Sequence, residues 1–203
     1  MISMTSDPRL AELLASRICH DLGAPVSGIG ALVPQAAQTD AQLLLKETAE
    51  ELRFRLTLFA AAFGQGDDRA WNDLPRLLAG APMAHRVRFD VVPSNARISA
   101  AETRILLAAA LLAAEGLPRG GAVRIAREEG GIIAVAMEGR DAEWSPALIR
   151  LLSGGSIAAA IEEGPRHVLA PWLFAQAGAA GAEISLAVPV GVQVPPLLLG
   201  LGA

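Results

Sequence analysis

The residues best suited to chemistry lie near the N-terminus, where His20 is followed directly by Asp21. A neutral imidazole is a good nucleophile at pH 7, because the ordinary histidine pKa is about 6.5. An adjacent carboxylate can hold the proton on one ring nitrogen and thereby make the other nitrogen more nucleophilic. The pair is suited to phosphoryl transfer, with His20 as the nucleophile and Asp21 as the group that orients or activates it.

A helix is expected to present this pair, because apolar residues recur at spacings of three and four on both sides of it. This stripe consists of Leu10, Leu14, Ile18, Leu22, Pro25, Ile29 and Leu32. Asp7-Pro8 suits the helix N-cap and first position, Pro25 predicts a kink, and the helix is expected to end near Gln38. Since each residue turns about 100°, His20 faces away from the stripe and toward solvent.

Several residues are expected to share the His20 face by helical spacing. They are Ser16, Arg17, Gly23, Ala24 and Ser27. The small side chains leave room for another protein, so Gly23, Ala24 and Ser27 are predicted to bind a partner. For Arg17 two interpretations stay open, a contact with the partner or the phosphoryl group and a merely solvated side chain. Arg53 and Arg55 carry the same two interpretations, and Cys19 is expected to be buried or half-buried.

A second helix is predicted over residues 40–63, after Thr39-Asp40-Ala41-Gln42, which has the form of a capping box. Its stripe contains Leu45, Thr48, Leu52, Leu56, Phe59 and Phe63. The short connection makes the two helices antiparallel. One hairpin cannot bury both stripes, so we expect two chains to form a four-helix bundle, that is, a homodimer.

The remainder of the chain mixes helical and strand patterns. The predicted organisation is a helical hairpin over residues 1–64, a linker over 65–70 and a second domain over 71–203. Helices are predicted over residues 71–80, 99–116, 146–152 and 166–177, and strands over 86–92, 122–128, 132–138 and 183–188. The apolar tail, residues 191–203, is expected to pack irregularly. The fold class is therefore α+β, with helices on one face of a mixed sheet.

Composition excludes several classes of protein. The chain has 203 residues, a net charge of −4 and one cysteine. One cysteine cannot form a disulfide within the chain or a cysteine-based metal cluster. The net negative charge argues against a primary nucleic-acid binder. No apolar run approaches the roughly 20 residues of a membrane span, and no targeting signal is present, so a soluble, cytoplasmic protein is expected.

The segment His20-Asp21-Leu22-x-x-Pro25 resembles the H-box of histidine kinases. Residues 16–22, 25–28 and 60–64 resemble the ChpT-type histidine phosphotransferases of alphaproteobacteria, and the likeness covers the layout of the whole chain. It implies a helical hairpin followed by an α/β sandwich like the ATP-binding domain of a histidine kinase. It also implies that His20 accepts a phosphoryl group from the receiver domain of a hybrid histidine kinase and passes it to response regulators.

The same resemblance points to gaps in the ATP site. Residues 117–125 resemble the end of the kinase N-box and its following strand, which puts Leu112 at the position of the metal-binding asparagine. Glu138-Gly139-Arg140 stands where a kinase has Asp-x-Gly-x-Gly, and residues 169–181 resemble the helix after the kinase lid without its glycines. ATP phosphates then lack a Mg²⁺ ligand. No cofactor and no bound metal are expected, and the partner receiver domain is expected to supply Mg²⁺.

Two other functions stay open from the sequence. One is an active cytoplasmic histidine kinase with an atypical ATP site, which nucleotide binding would reveal. The other is a non-catalytic dimeric scaffold of kinase-like fold, which needs neither His20 nor Asp21. His85 and His167 lack the H-box context and are expected to have no catalytic role.

Overall fold

The computed structural model describes residues 8–187 and 193–201. Two long helices open the chain, α1 (Pro8–Leu32) and α2 (Thr39–Phe63). Arg55 of α2 reaches Asp21 of α1, and Gly28 lies beside Thr48. This is the register of an antiparallel hairpin, as the sequence predicts. The expected cap residue Asp7 lies outside the described residues.

Two details at the tip of the hairpin differ from the sequence prediction. Helix α1 ends at Leu32 instead of near Gln38, and a 3₁₀ turn (Val33–Gln35) follows it. Pro34 explains this end, because it lacks an N–H and disfavours helical geometry in the residue before it. The expected capping box is wrong, since Gln38 is the N-cap residue and the Gln42 side-chain amide donates to the Ala36 carbonyl at 2.9 Å.

Shorter elements make up the rest of the chain. They are β1 (Arg69–Ala70), a 3₁₀ turn (Trp71–Asp73), α3 (Leu74–Leu78), β2 (Val87–Val91), β3 (Arg97–Ile98), α4 (Ala100–Glu115), β4 (Gly121–Arg127), β5 (Ile133–Glu138), α5 (Pro146–Leu152), α6 (Ile157–Ile161), a 3₁₀ turn (Pro165–His167), α7 (Leu169–Ala180), β6 (Glu183–Leu186) and β7 (Leu197–Gly200). Strand β1 pairs with β3, so part of the predicted linker is paired. The sequence did not predict α6, since five residues are too few to show a helical period.

The second half of the chain forms a five-stranded sheet with the strand order β2-β4-β5-β7-β6. Strands β2 and β4 are parallel and the other pairs are antiparallel, so the predicted mixed sheet and α+β class are confirmed. The prediction of an irregular tail is wrong. Leu197 and Leu199 are fully buried in a strand between β5 and β6, because alternate side chains of an extended segment point to the same face. The end of the predicted strand over 183–188 lies outside the described residues.

Helix α4 lies at the centre of the core. Its residues 105–114 are all buried, and the predicted capping box is present between Ser99 and Glu102. The base of the hairpin joins the same core, with Leu10, Leu14 and Leu58 buried. This packing holds the middle of α1 beside the C-terminal end of α4, which is where the candidate site lies. The division at residues 64 and 70 stays a prediction.

Candidate functional site

His20 is presented to solvent from the middle of α1, with 83% of its side chain exposed. Its Nδ1 lies 3.2 Å from Oδ1 of Asp21, and the Asp21 side chain is only 11% exposed. A carboxylate in this position accepts the Nδ1 proton and favours the tautomer whose Nε2 carries the lone pair. The open nitrogen, Nε2, is the one available for a bond to phosphorus.

The carboxylate of Asp21 is held from its other oxygen by Arg17. The Arg17 Nε donates to Asp21 Oδ2 at 2.7 Å, and Arg17 Nη2 donates to Glu115 Oε1 at 2.5 Å. Glu115 is the last residue of α4, so this chain of contacts joins α1 to the second half of the protein. The interpretation of Arg17 as a solvated side chain is wrong, because only 15% of it is exposed. Its contact with a partner stays a prediction.

Burial and charge act in opposite directions on this ion pair. Burial raises the pKa of Glu115, and the nearby charges of Arg17 and His167 only partly offset that effect. Burial by itself would lower the pKa of Arg17, but Glu115 and Asp21 outweigh it and the pKa is raised. Arg17 is therefore a permanent cation set between two carboxyl groups.

A second arginine, Arg55, reaches the backbone of Asp21. Pro25 has no N–H, so the carbonyl of Asp21, four residues earlier, lacks its usual helical donor. Arg55 Nη1 donates to this carbonyl at 2.8 Å, and Arg55 Nη2 donates to Glu51 Oε1 at 2.5 Å. Arg55 is buried, so neither sequence interpretation of it is correct. It satisfies a backbone group that the proline leaves without a donor.

A cleft of about 610 Å³ opens beside His20. Helix α1 contributes Ser16, Arg17 and His20 to its wall, and the turn before α7 contributes Arg166 and His167. His167 could not be placed here from the sequence, because no local motif surrounds it and only the packing of that turn against α1 brings it to the cleft. The cleft has room for a chain segment of another protein at the histidine.

The predicted partner-binding residues Gly23, Ala24 and Ser27 are all exposed. A Cβ added at Gly23 would meet no other atom within 4 Å, so this strip of α1 is open to approach. Cys19 is exposed, so the expectation of a buried or half-buried thiol is wrong. The helix buries mainly its Leu10, Leu14 and Pro25 side, and residue 19 lies away from that side.

The position expected to bind a nucleotide metal is filled by an apolar side chain. Leu112 is 2% exposed inside α4 and packs in the core, where it offers no oxygen ligand. In the part of the chain that the structure describes, no cluster of three or more His, Cys, Asp or Glu could hold a metal ion. Within the same residues, no helix is both long and apolar enough to cross a membrane.

Comparisons with known proteins agree with this architecture. Residues 72–190 match the family model described as "Histidine phosphotransferase C-terminal domain". The protein phosphotransferase ChpT of Brucella abortus (strain 2308) is 27% identical over 189 residues, which is 87% of this chain and 89% of that protein. A solved bacterial phosphotransferase aligns with a TM-score of 0.75 and 23% identity over 94% of each chain, so the two share a fold.

Proposed function

The chain belongs to the histidine phosphotransferase family, whose C-terminal domain its residues 72–190 match, and we propose that His20 carries the phosphoryl group between receiver domains of a two-component phosphorelay. The observation that carries the assignment of His20 is its geometry. Its imidazole is exposed, and a mostly buried carboxylate holds Nδ1 at 3.2 Å. The H-box-like sequence around it agrees with that role.

The bonds, electron pairs and charges of this transfer balance without a nucleotide. The lone pair of His20 Nε2 forms a bond to phosphorus as the bond from phosphorus to the aspartyl oxygen of the donor breaks, and that electron pair leaves with the carboxylate. The ring keeps its Nδ1 proton and gains a positive charge, which Asp21 balances. On the acceptor, an aspartate oxygen attacks phosphorus and the N–P electron pair returns to Nε2. Proximity and orientation supply the catalysis.

The partners in this proposal are the receiver domain of a hybrid histidine kinase as donor and response regulators as acceptors. They dock over the cleft beside His20, with Gly23, Ala24 and Ser27 as the open strip of α1. The receiver supplies Mg²⁺ in this proposal, and the carboxyl groups of Asp21 and Glu115 at the cleft are already bound to Arg17. A cytoplasmic location is part of the same proposal.

The proposal includes a homodimer built through the hairpin. Large apolar side chains of α1, α2 and their connection are about half exposed. They are Val26, Val33, Leu43, Leu44 and Leu56. A second copy of the hairpin would cover them in a four-helix bundle, and each half-exposed aliphatic side chain that becomes covered would contribute about 1 kcal/mol to association.

The direct test uses a receiver domain phosphorylated on aspartate, with Mg²⁺ and no free ATP. Label is expected to move to the wild-type protein and to a His85→Ala variant, and to be lost with His20→Ala. His85 is the matched control because it is an exposed histidine outside the cleft. A second, unlabelled receiver should then remove the label. Transfer to the His20→Ala variant, or labelling by ATP alone, would contradict the proposal.

A further inference from the structure

Glu115 comes from outside the hairpin and joins the chain of contacts that runs through Arg17 and Asp21 to His20. It lies 98 residues from Arg17 in sequence, yet Arg17 Nη2 contacts its Oε1 at 2.5 Å. Its side chain is about four-fifths buried, and the contact crosses from the C-terminal end of α4 to the middle of α1. The transfer chemistry described above makes no direct use of this residue.

The two contacts of Arg17 use different nitrogens of the guanidinium group. Nε is directed at Asp21, and Nη2 is directed at Glu115. Because the guanidinium is a rigid planar fork, fixing one side of it fixes the other. Glu115 therefore determines which N–H edge of the Arg17 guanidinium meets Asp21.

This orientation matters because Asp21 divides its two oxygens between two partners. Oδ2 accepts from Arg17 and Oδ1 faces His20. An arginine released from Glu115 is able to take both oxygens of one carboxylate in a bidentate pair, which is the geometry that arginine prefers with a carboxylate. Such a pair would draw Oδ1 away from the imidazole.

We propose that Glu115 is a positioning residue for phosphoryl transfer, which keeps Arg17 in a single-oxygen contact with Asp21 so that Oδ1 stays on His20 Nδ1. The inference rests on the proposed role of His20. It assigns to the second half of the chain a part in the chemistry, through the last residue of α4.

The test substitutions are Glu115→Gln, which keeps the size of the side chain and removes its charge, and Arg17→Lys, which keeps the charge and removes the fork. The matched control is Glu128→Gln, at an exposed position between β4 and β5. The single-turnover rate of transfer from a phosphorylated receiver is expected to fall about tenfold in both test variants, since small misplacements of a reacting group cost this much or more. The control variant should transfer at the wild-type rate.

A spectroscopic measurement separates positioning from a loss of structure. ¹⁵N NMR of labelled histidine reports which ring nitrogen of His20 carries the proton. Loss of the Asp21 contact is expected to lower the fraction of the Nδ1–H tautomer in Glu115→Gln, in samples shown by circular dichroism to be folded. If that variant does not fold, Arg17→Lys gives the same measurement.

A double substitution tests the route through Asp21. In an Asp21→Asn background, Glu115→Gln should slow transfer no further, because the group on which it acts has already been changed. Additive losses, a wild-type rate and tautomer in folded Glu115→Gln, or weaker receiver binding with an unchanged rate would each overturn the inference. Labelling that persists in His20→Ala is a different failure, since it removes the proposed function itself.

Discussion

The two ends of the helical hairpin differ in how much of their apolar surface is buried within one chain. At the base, Leu10, Leu14 and Leu58 are buried against the second half of the protein, and Arg17 donates hydrogen bonds to both Asp21 and Glu115. Toward the tip, large apolar side chains such as Val33 and Leu44 are about half exposed. Both ends come from the same two helices, so sequence pattern within the helices does not account for the difference.

The two ends differ because they have different neighbours within the chain. The base has α3, α4 and α7 beside it, so its apolar stripe and its ion pairs are satisfied within the chain. The tip has no such neighbour in the described residues, and in the proposed dimer a second copy of the hairpin covers its apolar surface. His20 therefore lies between the buried base of the hairpin and the exposed face of α1.

The largest loss in the free energy of unfolding is expected from a cavity at the base of the hairpin. Leu58→Ala should lower the free energy of unfolding by about 3 kcal/mol, because Leu58 is fully buried and its cavity cannot collapse. The matched substitution at the tip is Leu44→Ala. Denaturant unfolding at several protein concentrations is the measurement.

The two variants should differ in their concentration dependence. The loss in Leu58→Ala is expected to be the same at every concentration, whereas the loss in Leu44→Ala should disappear on dilution to the monomer. A loss in Leu44→Ala that persists in the dilute monomer would contradict the difference between the two ends.

A smaller loss of stability is expected from replacing Arg55, which donates to the Asp21 carbonyl that Pro25 leaves without a helical donor. Arg55→Met should cost about 2 kcal/mol, since it leaves the Asp21 carbonyl without a donor. Pro25→Ala restores an N–H at the position that donates to this carbonyl in a regular helix. In the Pro25→Ala background, Arg55→Met should therefore cost distinctly less, as measured by a double-mutant cycle of urea unfolding. Strictly additive costs would show that Arg55 does not act through that carbonyl.

At the tip, a charge should weaken the proposed dimer. Leu43→Glu is expected to raise the dimer dissociation constant at least tenfold, which corresponds to about 1.4 kcal/mol, because the new carboxylate would lie in an apolar interface. Analytical ultracentrifugation gives the constant. Ile132→Glu is the control, an equally simple replacement of an exposed apolar residue outside the hairpin. An unchanged constant in Leu43→Glu would place the dimer interface elsewhere or remove it.

The smallest expected effect is a pH dependence of the free energy of unfolding, which comes from Glu115 at the base of the hairpin. Burial raises the pKa of Glu115 above its ordinary 4.5, against the opposing charges of Arg17 and His167 and with a small contribution from Asp21 in the same direction as burial. A raised carboxyl pKa means that the folded state binds the proton more tightly. Its stabilising contribution is present below pH 4.5 and is lost as the pH rises through the raised pKa.

The measurement is the difference in unfolding free energy between the wild type and Glu115→Gln at a series of pH values. This difference should fall as the pH rises through that window, since the variant has no carboxyl group to titrate. A difference that grows with pH would show that Arg17 outweighs burial at Glu115. No comparable trend is expected between the wild type and Leu44→Ala, whose substituted residue does not titrate.

Much of this protein was predictable because its signals are local. The α1 stripe, the capping box at Ser99 and the hairpin of β4 and β5 depend on residues close in sequence, and all three are present. Helix α6 and strand β7 were missed for the opposite reason. Five residues show no helical period, and the leucines of β7 form a strand only because β5 and β6 lie on either side and exchange backbone hydrogen bonds with it.

Local sequence is enough to identify the group suited to the chemistry, because His20 and Asp21 are adjacent and the helical period around them turns the imidazole to solvent. Which residues surround that pair depends on the tertiary structure. Glu115, Arg55 and His167 carry no motif that connects them to His20. Their contacts depend on how α2, α4 and the turn before α7 pack against α1, and packing of distant segments leaves no spacing that can be read along the chain.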